Sequence, residues 1–181
     1  MRKKRVVMIV LLVLLCCVCS SVFAVEIEDS GPWKFTSYGY SPRVLNVYTD
    51  YTPYSGANVT LYSWSGSTNQ QWRIFPLYGY VNGAPIGTYR IVPQSNLDLV
   101  LNYNQATTKC TVYDWATNYL TDYPVSFINS SGDVVIALAF YGSRYLGNSG
   151  NYNGAQCYWY YYGPDSYIHD EDVWMMTNLY T

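Results

Sequence analysis

Three stretches of the chain repeat one pattern, and this repetition restricts the possible folds more than any other feature of the sequence. In each stretch an apolar, strand-like segment is followed eleven residues later by a second one, and no copy needs a gap. Each copy continues with a polar turn and a third, aromatic segment, and closes on two bulky apolar residues spaced by two. The paired segments begin at Trp33 and Val44, at Tyr89 and Val100, and at Val134 and Tyr145. The closing pairs are Trp72/Ile74, Val125/Phe127 and Trp174/Met176.

The repeated segments have the composition of β-strands. They are short, rich in Val, Ile, Tyr and Trp, and bounded by Gly, Asn, Ser and Pro, and no helical period follows residue 24. About four strands in each of three copies favour an all-β fold closed around a pseudo-threefold axis, because closure removes exposed sheet edges. A β-sandwich in which the three stretches are similar by coincidence is the alternative.

Residues 1–24 have the order of a secretory signal peptide. Basic residues at positions 2–5 precede an uncharged apolar run from Val6 to Cys19, and small residues then lead to Ala24, after which we expect cleavage. An uncleaved membrane anchor is the alternative, because the apolar run approaches the ~17–25 residues that span a bilayer. We therefore predict one domain over residues 25–181, in a secreted, extracellular protein.

The composition argues against several classes of function. The formal net charge is −2; removal of residues 1–24 takes away four of the ten basic side chains and none of the twelve acidic ones, which leaves −6. Nucleic-acid binding requires cations that neutralise phosphates, so it is not expected. The single histidine, His169, argues against His-based metal sites and Ser–His or Cys–His catalysis. Asp165 and residues 170–172 form an acidic cluster whose spacing matches no calcium loop, and this favours a solvated surface turn.

Cysteine usage leaves two possibilities. Without residues 1–24 only Cys110 and Cys157 remain. They can form a disulfide in an oxidising compartment, or they can be two buried thiols, since both lie in apolar strand-like segments.

The run Asn69-Gln70-Gln71-Trp72 contains a Gln-x-Trp element at the end of the first copy. With the segments at 44–47 and 59–62 before it, this copy resembles a complete repeat of the ricin-type β-trefoil lectins. The resemblance extends from Trp33 to Leu179; the element is degenerate in the third copy (172–174) and largely lost in the second (123–125). It implies a β-trefoil with repeats at about 33–76, 89–128 and 134–179, and we expect Trp72 in its core.

A sugar site combines an aromatic ring, which packs on the apolar face of a pyranose, with amides or carboxylates that bind hydroxyl groups. By resemblance to the ricin-type sites, the first copy supplies Asn46, Tyr62 and Asn69, with Gln70 either in support or tying backbone loops. Asn46 stands where the family usually has Asp, so a charge-assisted hydrogen bond is lost.

The other two copies offer weaker sets. The second copy supplies the secondary candidates Asn102, Tyr113 and Asp122. The alternative is that Asn46 and Asn102 are turn residues and Tyr113 is a half-buried strand residue. The third copy offers Asn148, Tyr158 and Asp172, with Gly147 at the position expected to be acidic, and here the structural interpretation is preferred.

The resemblance implies a secreted, non-catalytic lectin with shallow surface sites for glycans or glycoconjugates. No cofactor, metal or catalytic residue is predicted, and no membrane span once the signal is removed. The alternative is a trefoil that has lost its sugars and acts as a protein-interaction module, either a toxin delivery subunit or an inhibitor, with a separate effector chain as partner. A glycosidase with paired carboxylates is disfavoured, because nothing in the sequence brings Asp98, Asp114 and Asp122 together.

Overall fold

The structure is a computed structural model that describes residues 31–39, 42–77, 87–118, 122–130, 133–163 and 167–180. The predicted signal peptide, residues 1–24, lies outside these ranges. Within them, no helix has both the length and the apolar composition to cross a membrane.

The described residues form twelve short strands and two single turns of 3-10 helix. The strands are β1 (Trp33–Ser37), β2 (Arg43–Val47), β3 (Val59–Ser63), β4 (Trp72–Pro76), β5 (Tyr89–Pro93), β6 (Leu99–Tyr103), β7 (Cys110–Asp114), β8 (Val125–Ser130), β9 (Asp133–Leu138), β10 (Arg144–Asn148), β11 (Cys157–Tyr161) and β12 (Val173–Asn178). The helical turns are Thr68–Gln70, just before β4, and Asp170–Asp172, just before β12. We call β1–β4 the first unit, β5–β8 the second and β9–β12 the third.

Six strands close into a barrel. β1 pairs with β4, β4 with β5, β5 with β8, β8 with β9, β9 with β12, and β12 returns to β1, all antiparallel. Each unit thus contributes its first and fourth strands to the ring. The all-β class predicted from the sequence is confirmed.

The second and third strands of each unit form a hairpin at one end of this barrel. The three hairpins are β2–β3, β6–β7 and β10–β11, each paired over five residues. One bridge joins each hairpin to the next, so the hairpins form a closed triangle; these bridges are Asn58 to Thr111, Lys109 to Tyr158, and Gln156 to Thr60. A six-stranded barrel capped by three hairpins is the arrangement expected of a β-trefoil.

Gln156 lies where the three hairpins meet. Its Nε2 donates to the backbone carbonyls of Val59, Cys110 and Cys157, at 2.9, 3.0 and 2.7 Å. These three residues are the first residues of β3, β7 and β11. One amide therefore connects equivalent strands of all three units.

The barrel interior is filled by apolar side chains of all three units. Trp72 at the start of β4 is fully buried, as predicted, and its indole N–H donates to the Leu45 carbonyl at 3.0 Å. Trp174 in β12 repeats this contact with the Leu146 carbonyl at 2.8 Å. The hydrogen bonds satisfy the indole nitrogens, so two large side chains are buried without an unpaired donor.

Cys110 and Cys157 are both buried free thiols in this structure. Burial raises the pKa of both thiols, because the charged thiolate loses its hydration. Of the two possibilities left open by the sequence, the structure therefore has the pair of buried thiols, which are protonated and unreactive at neutral pH.

Candidate functional site

Two surface depressions lie beside the hairpins, at equivalent places in the first and second units. The second-unit depression has a volume of about 360 Å³, and the first-unit depression has a volume of about 350 Å³. Each holds the aromatic residue near the end of the third strand, Tyr113 in one and Tyr62 in the other. Each is also bounded by a glycine turn of a neighbouring unit, at Gly56 and Gly154 respectively.

The second-unit depression brings together the three secondary candidates Asn102, Tyr113 and Asp122. Asn102 is buried on β6, where its Nδ2 donates to Thr111 Oγ1 at 3.1 Å. Its Oδ1 accepts from Asn118 Nδ2 at 2.8 Å. The amide is therefore held in one orientation before any ligand arrives.

Asp122 is buried at the side of the same depression. Its Oδ1 accepts hydrogen bonds from Gln105 Nε2 at 2.8 Å and from the Tyr141 hydroxyl at 3.0 Å. Its backbone carbonyl accepts from the Tyr103 amide at 2.8 Å, which ties the loop before β8 to the end of β6. These contacts fix the orientation of the carboxylate.

Tyr113 provides the aromatic surface of this depression. It lies on β7 opposite Val100, and 40% of its surface is exposed. An exposed ring beside oriented amides and a carboxylate is the combination that recognises a pyranose, whose faces are apolar and whose edges carry hydroxyl groups.

The first-unit depression contains only one of the four primary candidates, Tyr62, which is also 40% exposed. Asn46 is buried behind the depression and donates to Thr60 Oγ1 at 3.4 Å. Thr60 is the residue that lines the depression at this point. Asn69 is half-buried in the Thr68–Gln70 turn, where its backbone N–H is capped by Ser67.

Gln70 is almost fully buried and connects the loop after β3 to the start of β4. Its Oε1 accepts from the backbone N–H of Ser65 at 2.7 Å and from the Ser65 hydroxyl at 3.1 Å. Its Nε2 donates to the Ser63 carbonyl at 2.9 Å. Of the two roles considered for Gln70, these contacts are those of a residue that ties backbone loops.

In the third unit, side chains of the unit itself fill the equivalent place beside the second strand. Gly147 pairs with Tyr158 as Asn46 pairs with Thr60 and Asn102 with Thr111. A Cβ atom on Gly147 would lie 1.9 Å from Asp172 Oδ1 and 2.9 Å from a ring carbon of Tyr160. The carboxylate of Asp172 thus occupies the place that an amide side chain takes in the other two units.

Asp172 is fully buried, so the prediction that the acidic cluster is a solvated surface turn is wrong for this residue. Its Oδ2 accepts from the Tyr162 hydroxyl at 2.5 Å and from the His169 amide at 3.3 Å. Burial raises its pKa to about 6, with the nearby Glu171 adding to the effect and the Tyr162 hydrogen bond opposing it. Asp165, the other end of the cluster, lies outside the described residues.

Two further third-unit candidates also lie in structural positions. Asn148 donates to the Glu171 carbonyl at 2.9 Å and to Ser37 Oγ at 3.3 Å, so its amide joins β10 to neighbouring segments. The strand register makes Tyr160, opposite Tyr145, the equivalent of Tyr62 and Tyr113. The predicted candidate Tyr158 lies two residues before this equivalent position, because the sequence of a repeat does not show which residues pair across the strands.

Sequence reasoning did not identify several polar residues that line the depressions. Gln105 and Asn118 belong to turns of the second unit. The only signal in the sequence for their position at a binding surface is the abundance of Asn and Gln in those turns. Tyr48 and Asn58 flank the first-unit depression. Asn153 reaches the same depression from the third unit, and no comparison within one repeat could have found it.

No protein-family model matches the chain, and no curated protein matches it in sequence. Solved structures do share its fold. The Rhizoctonia solani agglutinin has a TM-score of 0.64 at 14% identity, over 85% of this chain and 98% of that one. The Macrolepiota procera ricin B-like lectin, solved in complex with lactose, has a TM-score of 0.60 at 12% identity, over 85% and 99%. A mosquitocidal holotoxin has a TM-score of 0.68 at 16% identity, over 83% of this chain but 17% of the toxin.

Proposed function

We propose that this protein is a secreted, non-catalytic carbohydrate-binding protein of the β-trefoil type. The observation that carries the proposal is the second-unit depression, in which an exposed tyrosine ring faces fixed amides and a buried carboxylate. Tyr113 packs against the apolar face of a sugar ring, while Asp122 and Asn102 bind hydroxyl groups. A hydrogen bond from a sugar hydroxyl to the Asp122 carboxylate is charge-assisted and therefore stronger than one between neutral groups.

The rigidity of the site supports this proposal. Both amide atoms of Asn102 are engaged by protein partners, and Asp122 is held by Gln105 and Tyr141. Groups that are oriented before binding lose little conformational freedom when the ligand arrives, which improves affinity for a small, polar ligand. Such a shallow site still binds one sugar weakly, and several sites or a multivalent surface raise the overall affinity.

Two of the proteins of similar fold are named for carbohydrate recognition or agglutination, and one was solved with lactose. Because a shared fold does not establish a shared ligand, these names serve to select the first probe. We therefore choose lactose as the first soluble sugar and a glycan array for the wider search.

The test compares wild-type protein with Tyr113→Ala on the array and, for the best glycan, by calorimetric titration. Loss of the ring removes apolar contact worth about 1.5–3 kcal/mol when fully made, so we expect affinity to fall about tenfold or more. The control is Tyr180→Ala, which removes a 79% exposed tyrosine that lines neither depression; we expect no change in glycan affinity. A folded wild-type protein that binds no glycan at high concentration contradicts the proposal.

Secretion is part of the proposal and depends on residues 1–24. We expect the exported protein to begin at Val25, since Ala24 ends the small-residue segment that signal peptidases recognise. N-terminal sequencing of protein recovered from the medium tests this. An N-terminus at Met1 in a membrane fraction supports the uncleaved anchor instead.

A second candidate function is that of a delivery or interaction module. The specific observation in its favour is the holotoxin, in which the region of similar fold is only 17% of a much larger chain. In that case the binding partner is a protein, and the depressions have lost their ligands. This alternative predicts a folded protein that is silent on the array and insensitive to Tyr113→Ala.

A further inference from the structure

The first-unit depression is built by two units. Tyr48, Thr60 and Tyr62 come from the first unit, and Asn153 and Gln156 come from the third. Its volume of about 350 Å³ lies within the range of small-ligand pockets, near the lower end. The candidate residues taken from a single repeat, Asn46, Asn69 and Gln70, do not line it.

Asn153 has a fixed orientation at this depression. Its Oδ1 accepts from the Ser63 amide at 2.8 Å, from the Ser63 hydroxyl at 3.1 Å and from Nη1 of Arg43. An amide oxygen with three donors has no capacity left for a ligand. Its Nδ2 has no partner among the described residues, so the side chain offers a donor to whatever occupies the depression.

The other two polar groups also have a fixed direction. Thr60 Oγ1 accepts from Asn46, which directs the hydroxyl hydrogen elsewhere. Gln156 Nε2 is used by three backbone carbonyls, which leaves Oε1 as the available acceptor. The depression thus offers two donors and one acceptor and is also lined by Tyr62 and Tyr48, which are 40% and 53% exposed.

The charge of this depression differs from that of the second unit. Its described lining residues include no carboxylate, whereas Asp122 lines the second-unit depression. The guanidinium of Arg43 donates to Asn153 and also to Asn151 and Ser63. No carboxylate is within ion-pair distance of Arg43 in the described part of the chain, so none of the described residues neutralises its positive charge.

From these contacts we infer that the depression between the first and third units is a second saccharide site, that Asn153 is its principal polar contact, and that it prefers acidic sugars. The inference rests on the proposed function and extends it with a site and a ligand class. Arg43 acts as a positioning residue: it fixes the Asn153 amide and supplies a partly exposed positive charge for a sugar carboxylate. Because exposed ion pairs are weak, we expect only a three- to fivefold preference for the acidic sugar.

The test titrates the protein with galacturonate and with galactose, a pair that differs in a carboxylate at C6, and follows backbone and side-chain amides by NMR. Tyr62→Ala and Asn153→Ala are each expected to weaken galacturonate binding at least fivefold. Tyr113→Ala is titrated in parallel to report on the second-unit depression. Tyr180→Ala, which removes an exposed tyrosine that lines neither depression, is the control, with galacturonate binding unchanged. Asn69→Ala is also expected to leave it unchanged, because Asn69 lies outside the depression. Arg43→Gln keeps a hydrogen-bond donor but removes the charge, so the preference for galacturonate over galactose should disappear.

The outcomes separate this inference from the proposed function. If sugars bind but only Tyr113→Ala weakens their binding, the second site is overturned while the lectin function stands. The same conclusion follows if Asn69→Ala weakens galacturonate binding and Asn153→Ala does not. If neither sugar binds and the glycan array is blank, both are overturned. Asn153→Ala also removes hydrogen bonds to Arg43 and Ser63 and could disturb the local fold. Tyr62→Ala tests the same depression without removing those hydrogen bonds, because Tyr62 takes no part in them.

Discussion

Single residues decide which side chain occupies the equivalent place in each unit. At equivalent positions of the second strands stand Asn46, Asn102 and Gly147, and only the glycine leaves room for a carboxylate from the following turn. Asp172 fills that room, and its Oδ1 is buried without a hydrogen-bond partner. An unpartnered buried carboxylate oxygen is costly when ionised, which is why burial dominates its raised pKa.

This raised pKa predicts a pH dependence of stability. The folded-state pKa of Asp172 is about 6 against an ordinary 3.8, so the folded protein holds the proton more tightly than the unfolded chain does. The stabilisation is complete below the unfolded pKa and is lost as pH rises through about 6. Between pH 4.5 and 7 the loss from this group amounts to about 2 kcal/mol. The groups facing it are the hydroxyls of Tyr160 and Tyr162, the Glu171 carboxylate and His169.

Asp172→Asn isolates this contribution, because the amide oxygen can still accept from Tyr162 and His169. We expect the free energy of unfolding of the variant, relative to that of wild type, to be larger (the variant relatively more stable) at pH 7 than at pH 4.5, because only wild type must ionise a buried carboxyl at pH 7. Urea unfolding at the two pH values measures the difference, with the exposed neighbour change Asp170→Asn as control. A wild-type-to-variant difference that is the same at both pH values contradicts the assignment.

At the scale of elements, side-chain amides hold the hairpins and loops in place. Gln70 ties the loop after β3 to β4, Asn153 ties the third-unit turn to β2 and β3, and Gln156 joins all three hairpins. Each of these amides links separate segments by hydrogen bonds, as a buried ion pair can, but without the desolvation cost of burying a charge. The chain can therefore have few charged residues and still bind its strands to one another.

Gln156 makes the strongest prediction at this scale. Gln156→Ala removes the donor from three strand carbonyls near the centre of the hairpin triangle, and we expect a loss of about 1.5–3 kcal/mol in the free energy of unfolding. Gln156→Glu should lose at least as much, because a carboxylate cannot donate and repels the carbonyls. Gln71→Ala removes one exposed hydrogen bond, to the Gly66 carbonyl, and should cost less than about 1 kcal/mol. Equal losses for Gln156→Ala and Gln71→Ala in chemical denaturation would show that the shared amide has no special role.

At the scale of the whole molecule, closure of the barrel and of the hairpin triangle explains the aromatic-rich composition. The barrel has no free edge along its ring, and its interior holds large side chains such as Trp72, Trp174 and Phe35. Other aromatics remain on the surface, among them Tyr48, Tyr62 and Tyr113 around the two depressions. Aromatic residues therefore serve both the core, here as Trp and Phe, and the candidate binding surfaces, here as Tyr.

The sequence alone determines the strands and the identity of the core. Alternating apolar segments, turn residues and the closing aromatic pairs are local properties, and strand formation and burial follow from them; the all-β class and the burial of Trp72 were predicted on this basis. The second-unit set of Asn102, Tyr113 and Asp122 also lines one depression, whereas only Tyr62 of the first-unit set does so.

Only the tertiary structure decides which residues of different units meet. Asn153 lies 90 positions after Ser63 and still accepts a hydrogen bond from its amide, and no periodicity within a repeat contains that contact. Asp172 looks like a surface residue in sequence and is buried because Gly147, on another strand, leaves space for it. Local patterns specify elements, whereas the polarity and openness of each depression depend on side chains that closure brings together from distant parts of the chain.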